Sequence, residues 1–286
     1  MGEIQIIPDI GGGMMKRFCC YWEGAKPPAY IAWCISSWTK YVNLDDILFL
    51  NQSNVTRYLG DVIDMHSFRR YGFAKQSDIV SAAYLFRYGG VFLDSDTVLV
   101  NKSSTHFIDV QPTEDCFSYF GYSSTNAPHI AVLSSPPGGT IVTKWVEQLF
   151  ERVPCYENDT GWAYVGNEIL DPLVKNIELA QYSRCYDVND YLATPETRFA
   201  KNRGAERREK YIEFWFKESV DESALNEICA NSGGIVMLHN SWTPRHISEL
   251  PSSELVNGHF NLAALLRRVG DRGLIDGIQE RIYYGS

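Results

Sequence analysis

The sequence predicts an α/β protein with a mainly parallel central sheet flanked by helices. Three observations in one stretch, Lys75 to Val100 (KQSDIVSAAYLFRYGGVFLDSDTVLV), predict it. Ile79, Ala82, Ala83, Leu85 and Phe86 recur at helical spacing behind Ser77 and Asp78, which have the chemistry of an N-cap. Gly89-Gly90 then stops the helix. Val91, Phe92 and Leu93 follow as a continuous apolar run, the pattern of a strand covered on both faces, and sheets built of such strands bind ligands beyond their carboxyl ends. Asp94-Ser95-Asp96 falls at that end.

The other elements follow in chain order. Lys16 to Gly24, KRFCCYWEG, reads as a first strand entering a turn, and Pro27-Pro28 introduces the helix IAWCISSWTKY, in which Cys34, Ser37 and Trp38 are packing residues. Asp46 to Leu50, DILFL, reads as a second strand. Beyond the helix and strand described above, Phe117 to Gly121 and His129 to Leu133 read as strands. Gly138-Gly139 leads an amphipathic helix with Ile141, Trp145, Val146, Leu149 and Phe150 on one face. Asn167 to Leu179 is helix-like. The chain turns helical again from Glu206, with a further helix from Leu225, and Gly233 to Leu238 is a short apolar strand. NLAALLRRVGDRGLIDGIQERI, from Asn261, suggests two amphipathic helices broken at Gly270 to Gly273. Residues 1–244 are expected to form the main domain and 245–286 a helical extension packed on it.

Composition narrows the function. A chain of 286 residues with 45% hydrophobic and 13% aromatic content can bury one large core. A net charge of -9 argues against nucleic acid as a partner, because binding a phosphate backbone needs a cationic surface. The basic run Arg198 to Lys210 reads as a solvated loop and first helical turn, with a landing site for a lipid-linked pyrophosphate as the sharper alternative. Seven cysteines, scattered and without a CxxC pair, indicate neither a zinc site nor a disulfide framework and fit a reducing cytoplasm. No stretch is long and apolar enough to span a bilayer, and the start lacks a signal-peptide layout. The Asn-x-Ser/Thr triplets at Asn51, Asn54, Asn101 and Asn158 then read as chance.

Asp94 and Asp96 carry the chemistry. Two carboxylates two residues apart at a strand end suit a hard divalent cation that keeps positions open for phosphate oxygens, and a nucleotide diphosphate is the natural third party. A bare Asp-x-Asp is more often a solvated turn. Here Ser-Asp, Tyr-Gly-Gly and the apolar run into Asp-x-Asp together resemble the nucleotide-sugar signature of retaining GT-A glycosyltransferases, most of all glycosyltransferase family 32 and the bacterial capsular polysaccharide synthesis proteins. KRFCCYWEG is similar to that family's opening strand and GGIVMLHNSWTP, Gly233 to Pro244, to its closing loop.

The resemblance implies a GT-A fold and a set of roles. Asp96 and His239 would hold Mn2+ or Mg2+, and Asp94 would bind donor ribose or sugar. Trp22 would stack on the uracil base, Asp78 would bind a donor hydroxyl, and Ser241 and Trp242 would donate hydrogen bonds to the diphosphate. Gly166-Asn167-Glu168 departs from the family's pattern, which has a Gly-Pro or an acidic and amide pair near the sugar and acceptor, and Asn167 is the candidate contact there. Ser81 departs from the pattern, since relatives place an Arg there. The implied activity is transfer of a hexose from a nucleotide diphosphate sugar, UDP-linked by preference, to a capsular or other surface glycan. The acceptor could be lipid-linked, and the enzyme would be cytoplasmic or at the inner face of the cell membrane. The tail's apolar face with flanking arginines could dock on anionic lipid, or pack on the body.

Two rivals remain open. FLDSDTV also satisfies the motif of haloacid-dehalogenase-like phosphatases, with Asp94 as nucleophile toward phosphate and Asp271 to Asp276 mimicking their late acidic motif. The other is a non-catalytic sugar-nucleotide-binding protein.

Overall fold

A computed structural model of the protein describes residues 18–24, 26–101, 115–122, 127–155, 161–188, 192–193, 195–199, 201–217, 219–231 and 234–285. Lys16, Asn158 and Gly233 lie outside the described residues. The central sheet joins β1 (Phe18–Tyr21), β2 (Ile47–Leu50), β3 (Gly90–Leu93), β5 (Phe117–Gly121), β6 (Pro128–Ser135) and β7 (Ser183–Asp187) in the order β2-β1-β3-β6-β5-β7. β1 is parallel to β2 and β3, β5 is parallel to β7, and β6 alone runs against its two neighbours. The fold is therefore the α/β architecture expected, with a mostly parallel sheet. A second sheet pairs β4 (Thr97–Leu99), β9 (Ile235–Met237) and β8 (Leu192–Ala193), with β4 and β9 antiparallel.

Alternation along β1 builds two apolar layers. Phe18 and Cys20 pack on the face that holds α1 (Ala29–Ser36), while Cys19 and Tyr21 pack on the face that holds α4 (Phe73–Tyr88). Short helices α2 (Val55–Leu59) and α3 (Met65–Phe68) fill the connection from β2 to α4. α5 (Thr140–Arg152) and α6 (Asn167–Lys175) join the α4 layer. All eight residues of α1 are buried, because both the sheet and the carboxy-terminal helices cover it.

The distal helices are α7 (Pro195–Arg198), α8 (Gly204–Phe216) and α9 (Glu222–Asn231) before β9, then α10 (Arg245–Ser248), α11 (Ser252–Asn257), α12 (Asn261–Val269) and α13 (Ile275–Tyr284). The expected tail helices and their break are present. Leu262, Leu265, Leu266, Ile275, Ile278 and Ile282 are buried, so the tail's apolar face is turned to the body. Three of its four arginines are engaged too: Arg267 donates to the Gly258 carbonyl at 2.9 Å, Arg268 pairs with Glu222, and Arg281 meets Asp45 at 2.8 Å. Asn51 and Asn54 are buried and donate to the carbonyls of Ile282 and Gly285, each at 2.9 Å or less, which fixes the chain's end against β2. No helix among the described residues is long and apolar enough to cross a membrane.

Two expectations need correction. The long helix opens at Phe73 behind Gly72, a full turn before Ser77 and Asp78, so those two are not its cap. Phe73 to Gln76 extend the helix because Gln76 is buried and spends its side chain on the Tyr71 carbonyl at 2.8 Å and on the Tyr21 hydroxyl at 2.6 Å. The helix at Asn167 ends at Lys175, short of Leu179. The stop at Gly89 is as expected, with φ +64, a conformation that favours glycine.

Candidate functional site

The site lies where the strand order reverses. From β1 the chain runs through α1 to β2 on one side, then returns through α4 to β3 on the other side of β1. The α1 and α4 layers separate above the carboxyl ends of β1 and β3, and such a crevice is where open α/β sheets bind ligands. Trp22 leaves β1 there, and Asp94-Ser95-Asp96 leaves β3.

Asp94 continues the sheet by one residue, its N–H donating to the Ala131 carbonyl at 2.8 Å. Its own carbonyl accepts the Thr97 N–H at 3.0 Å, which turns the chain into β4. The Ser77 hydroxyl donates to Asp94 Oδ1 at 3.4 Å from the second turn of α4. Asp96 is grasped by the closing segment that follows β9. Its carbonyl accepts the Leu238 N–H at 3.2 Å and its Oδ2 accepts the Asn240 N–H at 2.8 Å. β4 and β9 make this possible, since Thr97 pairs with Met237.

Three carboxyl groups share the crevice. Burial pushes Asp94 above the usual carboxylate range, against the pull of the Ser77 bond. Burial and then the charge of Asp94 push Asp96 up, opposed by the Asn240 N–H. Asp78 is held well above its ordinary value by burial first and Asp94 second. The carboxyls therefore favour protonation until a positive charge arrives. Asp94 and Asp96 could offer oxygen ligands to such a charge.

The closing segment is an aromatic assembly. The imidazole of His239 lies parallel to the indole of Trp242, with centroids 4.0 Å apart and planes 2° apart. Ser241 Oγ is 3.0 Å from His239 Nδ1. Trp242 meets Tyr211 edge-on at 5.5 Å, and the Tyr211 hydroxyl accepts the His239 N–H at 2.8 Å. The Tyr30 hydroxyl, from α1, donates to Asn240 Oδ1. Among the described residues no group of three or more His, Cys, Asp or Glu is arranged as a metal cage.

Asp78, placed by sequence at a helix start, sits one turn inside α4, where the helix dipole no longer acts strongly on it. Gly166 lies against it: a Cβ there would overlap Asp78 Oδ2 and Ile130 Cδ1, so a side chain at this position would push that carboxyl aside. Asn167 follows directly at the start of α6, and its buried Oδ1 has no hydrogen-bond partner among the described residues. Leaving such an acceptor unpaired costs about 1–3 kcal/mol, which a ligand hydroxyl would recover. Ser81 is fully buried and bonds back to the Asp78 carbonyl at 2.8 Å. Trp22 is half-buried on the α1 face, with its N–H on the Leu50 carbonyl at 2.9 Å.

The structure thus brings Asp78, Asp94, Asp96 and the segment Leu238 to Trp242 together, with Trp22 on the same edge of the sheet. Tyr30 and Tyr211 hold the closing segment and are not among the residues singled out by sequence. Tyr30 sits inside an apolar helical run and Tyr211 inside a charged one, and neither context marks a tyrosine whose hydroxyl is needed.

Residues 14–145, just under half of the chain, match the family model described as capsular polysaccharide synthesis protein. No curated protein matches the chain. Among solved structures the chain resembles the apo form of the glycosyltransferase GlyE of Streptococcus pneumoniae, at 14% identity and TM-score 0.47, over 96% of this chain and 66% of that one. It also resembles the galactosyltransferase LgtC in complex with donor and acceptor sugar analogs, at 8% identity and TM-score 0.41, over 91% and 99%. Mouse xyloside xylosyltransferase 1 is similar at 10% identity and TM-score 0.44, over 81% and 100%. The segment that carries the site from Trp22 to Asp96 is therefore similar to the capsular polysaccharide synthesis proteins, and the solved structures that the whole chain resembles are glycosyltransferases.

Proposed function

We propose that the protein transfers a hexose from a nucleotide diphosphate sugar, UDP-linked by preference, to a surface glycan, with a divalent cation and with retention of configuration. One observation supports this reading: two half-buried carboxyl groups, whose ionisation is opposed by desolvation and by each other, emerge at the sheet's switch point, and one of them is clasped by a segment rich in hydrogen-bond donors. Burial and repulsion together are what a bound Mn2+ or Mg2+ would relieve, so the residues fit the ion. Asp96 would supply the principal oxygen ligand and His239 a nitrogen ligand after parting from Trp242. When bound, the ion supplies positive charge to the leaving diphosphate.

The chain's own groups do the rest. Asp94 accepts hydroxyls of the donor ribose or sugar, and Asp78, whose surroundings raise its affinity for a proton, binds a donor hydroxyl. Asn167 Oδ1 takes a sugar hydroxyl, Trp22 stacks on the base, and the Ser241 hydroxyl and Trp242 indole N–H bond the diphosphate. Retention follows if the acceptor attacks from the face the diphosphate leaves, with a diphosphate oxygen taking the acceptor's proton, so no side-chain nucleophile is required. Residues 245–286 would serve as a helical extension that braces α1.

The phosphatase alternative loses its second acidic motif, because Asp271 caps a short 3₁₀ turn through the Gly273 N–H at 2.9 Å and is fixed to Ser36. Calorimetry with UDP and Mn2+, followed by a hydrolysis screen across UDP and GDP sugars, tests the reading. Metal-dependent UDP binding and slow hydrolysis of one donor are expected. A protein that binds no nucleoside diphosphate in the presence of metal is not this enzyme, and one that hydrolyses phosphate monoesters through Asp94 is the phosphatase.

A further inference from the structure

The basic run from Arg198 to Lys210 lies outside the groups assigned to donor and metal. It holds six of the chain's 26 lysines and arginines but only two of its 35 acidic residues. At physiological salt a charge is felt over about 8 Å, so an anion reaching this run meets the local excess of cations and not the net charge of -9.

The fold sets the run beside the crevice. Leu192 and Ala193 of β8 pair in parallel with Ile235 and Val236 of β9, so the chain leaves β8 toward α7 at the edge where the closing segment leaves β9. Tyr211, in the second half of α8, accepts the His239 N–H at 2.8 Å and meets Trp242 edge-on. Arg208 and Arg207 precede Tyr211 by three and four residues, the spacings that share a helix face, and Arg203 comes one turn earlier. The three arginines are thus set back by about 5 to 12 Å of helix rise from the residue that holds the closing segment.

Charge on α8 is divided between faces. Glu209 and Glu213, two residues either side of Tyr211, fall on the opposite face, where both are exposed, and Lys210 is paired with Glu213 at 2.9 Å. Arg198 is engaged as well, its guanidinium 3.9 Å from the centre of the Phe214 ring. Arg207 Nε donates to the Asn202 carbonyl at 3.0 Å, which brings its guanidinium against the residue between Lys201 and Arg203. Lys201, Arg203 and Arg208 are exposed, and a Cβ on Gly204 would meet no atom within 4 Å, so the turn has room for a ligand. A bilayer surface would favour cations on the outer face of α8, where its carboxylates stand. An anion at the mouth of the crevice favours the arrangement observed.

We propose that Arg203, Arg207 and Arg208, with Lys201, form an oxyanion subsite at the mouth of the crevice that holds a phosphate group of the acceptor. A guanidinium fork matches two phosphate oxygens at once, which a lysine cannot do. That the phosphate is the acceptor's rests on the transferase reading; that an oxyanion binds there does not.

The phosphate belongs either to a lipid carrier or to the glycan, so two probes are titrated calorimetrically, hexyl diphosphate for the first and glucose 6-phosphate for the second. EDTA keeps stray metal from drawing them to Asp94 and Asp96. Binding of at least one is expected, and the tighter names the source. Arg207→Ala and Arg208→Ala should each weaken it about tenfold or more, and Arg208→Lys should recover only part of the loss. Lys210→Ala, which removes the same charge away from the Tyr211 face, should leave affinity unchanged, and melting curves of Arg208→Ala should match the original because that side chain is exposed. Binding of neither probe, or equal losses in Arg208→Ala and Lys210→Ala, overturns the subsite. Sedimentation with phosphatidylglycerol vesicles that both variants weaken alike would make the run a membrane contact instead. A protein that binds a probe but no UDP with Mn2+ keeps the oxyanion subsite and loses the transferase reading.

Discussion

The ends of β1 and β3 and the closing segment 238–243 face the same crevice but are held there by different forces. Phe92 and Leu93 are each 1% exposed, and Asp94 is still part of the ladder, so the strand ends are fixed by the core. Asn240 and Ser241 are exposed, and their segment hangs on Asp96, Tyr30, Tyr211 and one aromatic stack. One side keeps its geometry whatever occupies the crevice. The other depends on the carboxylate proposed to bind the ligand, so on that reading occupancy and closure would be coupled through Asp96.

Replacing Asp96 should break that coupling with the largest effect. Asp96→Ala is expected to reduce transfer and metal-dependent UDP binding by about a thousandfold or more, and to speed amide exchange across Leu238 to Trp242 because the Asn240 N–H loses its acceptor. Asp96→Asn separates the two roles. Its amide oxygen can still accept that N–H, so exchange should stay slow while transfer is lost. Full activity in Asp96→Ala would remove the central assignment, and fast exchange in both variants would show that the carboxylate's charge, not its geometry, holds the segment.

The closing segment itself should give smaller, kinetic effects. Trp242→Ala removes both the His239 stack and the edge contact with Tyr211. It is expected to lower kcat about tenfold and to weaken donor affinity less, because a closed segment favours the transition state by excluding water and orienting the leaving group. UDP and Mn2+ added together should protect 238–246 from exchange more than either alone. Equal protection with and without the ligands would make the segment a static wall.

How much of this was legible in the sequence follows the same division. Gly89-Gly90 and the run Val91 to Leu93 announce a helix stop and a buried strand through local chemistry, so Asp94 and Asp96 could be placed at a strand end from residues within a few positions of them. The helix start could not, since Gly72 and Phe73 carry no side-chain cap and the decisive contacts of Gln76 reach back to β1. The bond from Asn240 to Asp96 spans 144 residues and depends on two three-residue strands, each too short to show a period. Resemblance found the residues of the closing segment, but only the fold shows what they hold. The close approach of Gly166 to Asp78 and Ile130 is likewise a contact between distant elements, invisible in a local pattern.

Asp78 gives the smallest effect, and it reads stability where the others read function. Its carboxyl is raised well above the ordinary value by burial and by Asp94, so the folded protein holds this proton more tightly than the unfolded chain does. The sign follows from linkage. Stability associated with Asp78 is complete below the unfolded value of about 4, drains as pH rises from there toward the raised folded value, and is lost above it. Asp78→Asn has nearly the same shape beside Gly166 but no proton to lose. It should therefore match the original protein near pH 4 and exceed its Tm at pH 8, by about 2–4 °C for each kcal/mol recovered. It should also lose donor binding, because an amide presents a different set of donors and acceptors to a sugar hydroxyl. A stabilised but weakened variant would mark Asp78 as a group kept for its ligand at the expense of the fold. A variant less stable than the original at every pH would mean that the carboxyl is a satisfied structural group, and Asp78 would leave the site.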